Sequence, residues 1–278
     1  MIKTQNKEEK KIRKLKDKKK KNHYVPMKGI LGNATDYNVY HMDIKERIAG
    51  FLIGFLGGFA VIYIFFRLSY VSAIGGIITG CLAQKPFQNY LLKRRKRTLL
   101  LQFKDMLEAL SASYSAGMNT HAAFADAYQD LENIYGTKAD ITKEIQTINV
   151  GIENNFIVEE LLFDFAKRSG LEDIESFANV FSVCNRQGAN LKKVISDSRD
   201  IINDKIEMEM DIETLLAGNK NQLNIMMVMP LIIMLCLSGM GTMSAVTNNP
   251  VNVIVKIGVL ILFAAAYLMG RKIVDIKL

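Results

Sequence analysis

Residues 175–216, ESFANVFSVCNRQGANLKKVISDSRDIINDKIEMEMDIETLL, decide how the chain folds. Ile174, Phe177, Ala178, Phe181 and Cys184 recur at i, i+3, i+4, i+7 and i+10, the apolar stripe of an amphipathic helix. A turn is expected at residues 187–190. There Gly188 suits the left-handed position that closes one helix, and the Asn190 side chain suits the N-cap of the next. The stripe then resumes with Leu191, Val194, Ile195, Ile201, Ile202 and Ile206. The stretch reads as a helical hairpin whose second helix is long. Along that helix run Asp197, Asp200, Asp204, Glu207 and Asp211 among Lys192, Lys193, Arg199 and Lys205, partly at i, i+4 spacing. The plain reading is a solvated, self-paired face; the functional one is a contact face for a basic partner.

Upstream of the hairpin, the same periodicity predicts four more helices. Phe103, Met106, Leu107, Leu110 and Tyr114 mark the first, ended at Gly117, and Asn119 opens a second through Phe124, Ala127, Tyr128 and Leu131. Ile141, Ile145, Ile148 and Ile152 mark the third. Val158, Leu161, Leu162, Phe165 and Ala166 mark the fourth, closed by Gly170. Residues 88–222 are thus expected to form a six-helix bundle. Gly117-Met118-Asn119 and Gly188-Ala189-Asn190 are similar turns 71 residues apart, which suits two pseudo-repeated three-helix units.

Two apolar blocks, residues 48–87 and 223–270, bracket this charged middle. Residues 48–66 hold no charge and as a helix reach about 28 Å, close to a bilayer core of about 30 Å. A second span is expected over 71–87, a third over 223–243 with Pro230 as a kink, and a fourth over 253–269. Gly50, Gly54 and Gly58, and then Gly76 and Gly80, repeat every four residues, which lets two helices approach closely. Lys93, Arg94, Arg95, Lys96 and Arg97 directly follow the second span and mark the cytoplasmic side; Arg271, Lys272 and Lys277 return residues 271–278 to it. Both termini are therefore expected inside. The expected fold class is all-α, with four transmembrane helices in two hairpins flanking a cytoplasmic bundle.

The formal charge of +8 misleads if read globally. Residues 1–47 hold fourteen Lys or Arg against six Asp or Glu, whereas residues 98–221 hold eleven against twenty-one. The basicity belongs to a tail and linker expected to be largely disordered, and nucleic-acid binding is not implied. The first apolar run begins only at residue 48, behind that polar tail, and is expected to act as an uncleaved anchor. Cys81, Cys184 and Cys236 stand singly in apolar settings and read as free thiols. No phosphate-binding G-x-x-x-x-G-K-[ST] loop, no H-E-x-x-H and no grouped Cys and His occur, so no cofactor, metal or catalytic residue is assigned and an enzyme is not expected. His121 opens the second helix and reads as a surface residue. No carboxylate interrupts the apolar blocks, which disfavours the alternative of a small four-span transporter or channel with a cytoplasmic regulatory domain.

Three blocks carry a resemblance to a known family. KRRKRTLLLQFKDMLEALSASYSAGMN, residues 93–119, is similar to its basic run, Gln-x-x-Asp-x-Leu and Ala-Gly turn. EELLFDFAKRSG, residues 159–170, is followed by RQGANL, residues 186–191, at the family's Gly-x-Asn-Leu turn. The long charged helix leading into a span with Pro230 is the third. In this order and topology, residues 44–278 resemble the type II secretion F-domain family, within it the inner-membrane platform proteins of tight-adherence (Tad) pili, TadB-type or TadC-type. Arg186 and Gln187 depart from a more Gly-rich turn, and Asn155 stands where a glycine is expected before Phe156. The resemblance implies a non-enzymatic, multi-pass protein of the cytoplasmic membrane. It implies a cytoplasmic hexameric secretion ATPase, a paralogous platform subunit or further copies of this chain, pilin and membrane lipids as partners.

Overall fold

The computed structural model describes residues 27–32, 34–66, 69–187, 190–239 and positions 258, 259, 262, 265, 266, 269 and 270. Among the described residues the chain is all-α. The elements are α1 (Ile44–Phe66), α2 (Ser69–Ser115), α3 (Thr120–Tyr135), α4 (Asp140–Glu153), α5 (Val158–Ser169), α6 (Glu172–Gln187) and α7 (Leu191–Gly239). The basic tail before residue 27, Gly188, the link at 244–252, most of the expected fourth span and residues 271–278 lie outside the described residues. Two compact units divide the chain, one holding residues 27–39 and 109–192, the other residues 40–108 and 193–278. They do not follow a three-plus-three division of the six central helices.

In the first unit α3 packs on α4, α4 on α5 and α5 on α6. The apolar stripes supply its core: Phe124, Ala127 and Leu131 from α3, Ile141, Ile145 and Ile148 from α4, Leu162 and Phe165 from α5, and Ile174, Phe177 and Phe181 from α6 are all buried. Phe124 meets Phe181 edge to face at 6.5 Å between ring centres. Local chemistry sets the ends. The Asn119 side chain accepts from the Ala122 N–H at 2.9 Å and caps α3. Gly170 takes the left-handed conformation (φ 58°) that closes α5, and its N–H returns to the Ala166 carbonyl. Glu159 and Glu160 begin α5, and Lys167 and Arg168 end it, as the helix dipole favours.

In the second unit α1 and α2 run antiparallel, with their glycines in contact. A Cβ on Gly54 would fall 2.5 Å from that of Ala83, one on Gly80 2.8 Å from the Phe51 ring, and one on Gly76 3.0 Å from the Phe55 ring. Gly50 faces Phe87 and Gly58 faces Thr79. The Thr79 hydroxyl lies within hydrogen-bond reach of the Gly54 carbonyl across the pair at 3.1 Å. Glycines on each helix thus make room for aromatic rings of the other, which lets the two helices approach closely. Outward, Ile48, Leu52, Ile53 and Leu56 of α1 are exposed. Among the described residues α1 is the one helix long and apolar enough to cross a membrane, by length and composition.

Several expectations change. The second apolar run and the first central helix are one 47-residue helix, α2, with Pro86 inside it. Proline at an exposed position removes one N–H and does not end a helix that neighbours hold on both sides. As expected of a long charged helix that leads on into an apolar run, the sixth central helix and residues 223–239 are one 49-residue helix, α7, which contains Pro230. Gly270 lies against Leu223 of α7, where an added Cβ would come within 2.9 Å of the leucine Cδ1. The stretch read as a loose linker is ordered from residue 27. Helix α1 begins at Ile44, ahead of residue 48, where the Asp43 N–H donates to Glu46 Oε2 at 3.1 Å, one of the two bonds of a capping box, and the Ile44 N–H donates to Asp43 Oδ1 at 2.8 Å. Finally Ile201, expected on the buried stripe, is 67% exposed.

Candidate functional site

The circumference of α7 carries two opposite faces. Ile195, Ile202 and Ile206 are buried. At 3.6 residues per turn, Asp197, Asp200, Asp204, Glu207 and Asp211 fall within about 80° of arc on the opposite side. All five are exposed. Arg199 pairs with its neighbour Asp200 at 2.7 Å; that hydrogen bond, helped by the Asp200 and Glu108 charges, holds the guanidinium above its ordinary pKa against the opposing effect of burial. Asp200 also lines a cleft of about 320 Å³ with Lys104, Glu108, Arg199 and Asn203, where α2 and α7 run side by side. Asp197, Asp204, Glu207 and Asp211 stand clear of that cleft.

On α2 the five consecutive basic residues cannot share a face, because each helical step turns by about 100°. Lys93, Arg94 and Arg97 are exposed, and Arg95 and Lys96 half-buried. Arg97 reaches Glu213 on α7 at 2.8 Å, an exposed pair that contributes about 0 to 1 kcal/mol. Arg97 near Glu213, and Lys104 and Glu108 near Arg199 and Asn203, show that the two helices run antiparallel here.

The strongest electrostatic cluster lies elsewhere and was not anticipated. Arg168, at the end of α5, is 1% exposed. Its guanidinium grips Glu144 of α4 through both carboxylate oxygens, at 2.8 and 2.7 Å, while its Nε donates to Asp164 at 2.7 Å. Nη1 also donates to the Thr35 carbonyl at 2.9 Å. Burial alone lowers the Arg168 pKa, but the Glu144 and Asp164 hydrogen bonds and charges outweigh it and raise the value above ordinary arginine. Residues 27–38 form a strap over this cluster. The Tyr37 hydroxyl donates to Glu144 at 2.8 Å and its N–H to the Arg168 carbonyl at 2.9 Å. Asn38 Nδ2 donates to the Lys167 and Arg168 carbonyls, at 3.2 Å each. Gly29 sits at φ 66°, where a Cβ would press on Ala34 and come 3.2 Å from Arg168 Nε and Asp164 Oδ2. Tyr37, Glu144 and Arg168 together lock α4 to α5. Only the run Asp36-Tyr37-Asn38, turn chemistry around an aromatic residue, hinted at this in the sequence.

The remaining positions fall as follows. Gly117 takes φ 80° in open space after α2, and Asn190 immediately precedes α7. Pro230 is exposed inside α7. His121 is exposed on a cleft of about 290 Å³ in which Gln129, Gln146, Asn149 and Glu153 also take part. Among the described residues no three His, Cys, Asp or Glu side chains converge as metal ligands, and Cys81, Cys184 and Cys236 are free thiols. No protein-family model, no curated protein and no solved structure matches this chain.

Proposed function

We propose that this chain is a multi-pass platform protein of the cytoplasmic membrane, serving a Tad-like type IV pilus or a type II secretion machine. In this reading a cytoplasmic hexameric secretion ATPase docks on the helical domain, and the apolar part helps to move pilin from the bilayer into the fibre. The continuity of α7 carries the proposal. Over its 49 residues, about 73 Å at 1.5 Å per residue, one helix runs from an acidic solvent-facing stretch into the apolar residues beyond 222. A displacement imposed on its charged end is transmitted to its apolar end without any hinge other than Pro230. Helix α1, its glycine-packed partner in α2, the apolar end of α7 and residues 253–269 supply four spans. By the positive-inside rule Arg94 and Arg97 after the first apolar pair, and Arg271 after the second, favour both termini on the cytoplasmic side. No step of this work requires a catalytic residue.

The test is in cells that assemble such a fibre. A photoreactive residue at Asp204 or Glu207 is expected to cross-link the motor ATPase, and deletion of the chain is expected to abolish fibres while leaving pilin in the membrane. Fibre assembly with no ATPase adduct from the carboxylate face overturns the docking half. Normal fibres without the chain overturn the whole.

A further inference from the structure

Ile201, Met208 and Leu215 are 67, 62 and 79% exposed, and they lie seven residues apart on α7. Seven residues is nearly two turns, so the three form one straight seam along the helix. The seam sits beside the carboxylate face and away from buried Ile195, Ile202 and Ile206. Taking Ile201, Met208 and Leu215 as the first positions of successive heptads, Asp204 and Asp211 occupy the fourth. That is the pattern of a helix-pairing seam in which one of its two rows is acidic.

The geometry points to a docking surface for a single amphipathic helix from a partner protein, one that lays aliphatic side chains on Ile201, Met208 and Leu215 and presents Lys or Arg to Asp204 and Asp211. The inference rests on the platform reading for where such a partner comes from, and deepens it by naming the chemistry of the docking element. Charge complementarity selects this occupant. A second copy of α7 in parallel brings Asp204 and Asp211 against their own counterparts, and an antiparallel one sets carboxylates against aliphatics; like charges at such positions act as repulsion against self-pairing. A lipid surface is also disfavoured, because interfacial helices carry Lys and Arg beside their apolar face, whereas this face carries carboxylates. A solvated face needs no aliphatic residue every seventh position.

The experiment uses the full chain in nanodiscs of zwitterionic lipid and two fluorescent helical peptides. Both carry Leu at the first heptad position; one has Lys at the fourth, the other Glu. Fluorescence anisotropy is expected to give binding of the Lys peptide alone. Met208→Ser with Leu215→Ser is expected to weaken it at least about tenfold, and Asp204→Lys with Asp211→Lys to reverse the preference between peptides. Since all four positions are exposed, thermal unfolding of these variants should match the parent. Equal binding of the two peptides, or binding that ignores the seam variants, overturns the inference. So does a disulfide between two chains through Met208→Cys in a background without other cysteines, or quenching of a label at that cysteine by a lipid-borne quencher. A chain that binds the Lys peptide but whose deletion leaves fibres normal keeps the seam and loses the platform; a chain required for fibres that binds both peptides alike loses the seam alone.

Discussion

Two charged regions of this molecule behave oppositely. The α7 carboxylates are many, exposed and spread along a helix, whereas Arg168, Glu144 and Asp164 are few and drawn together, with Arg168 and Glu144 buried under the residue 27–38 strap. Charge density in the sequence marks the first region and passes over the second. The energetics run the other way. Each exposed carboxylate interacts through water and contributes little to stability, leaving it available for a partner. A buried pair has already lost its hydration, so removing one member leaves the other without compensation.

That contrast can be broken most sharply at Arg168. Arg168→Met strands Glu144, and a loss of about 3 to 5 kcal/mol is expected for the first unit, read as a lower denaturant midpoint of its helical signal. Combining it with Glu144→Met should recover much of that loss, because both charges then leave together. Recovery measures coupling; its absence would reduce Arg168 to a packing residue. Tyr37→Phe removes one hydroxyl donor from Glu144 and should cost about 1 to 2 kcal/mol while loosening the strap, visible as faster amide exchange at residues 35–38. The pair should also survive alkali. Arg168 is raised above its ordinary value, so its contribution is present at every pH below the arginine range and is lost only above it; the strap should stay protected to about pH 10. On α7, Asp204→Asn with Asp211→Asn should change stability by less than about 0.5 kcal/mol yet slow association with a basic partner, an effect that fades as salt rises.

The same contrast explains what could be read from residues alone. Helical periodicity located the core of the first unit well, since Phe124, Leu131, Ile141, Ile145 and Phe165 are spaced for one face and are all buried. All-α architecture follows from such spacing. At the adjacent pair Ile201 and Ile202 periodicity gave no such guidance: neighbours on a helix point about 100° apart, so both cannot enter one core, and only Ile202 does. Pro86 and Pro230 lie inside helices because packing on α1, and the apolar length of α7, outweigh one missing N–H. The strap was hidden for a different reason. Its partners Glu144 and Arg168 lie over a hundred residues away, and hydrogen bonds between a turn and two helix ends leave no periodic trace.

The proposed function stands on α7 being one continuous helix that passes from water into the bilayer. Spin labels at positions 204 and 232, in a chain whose cysteines are replaced by serine and held in nanodiscs, test it directly. At 1.5 Å per residue the account predicts a narrow distance distribution near about 42 Å, with position 204 accessible to a water-soluble relaxing agent and position 232 only to oxygen in the lipid. A broad distribution, or water access at both positions, would contradict it.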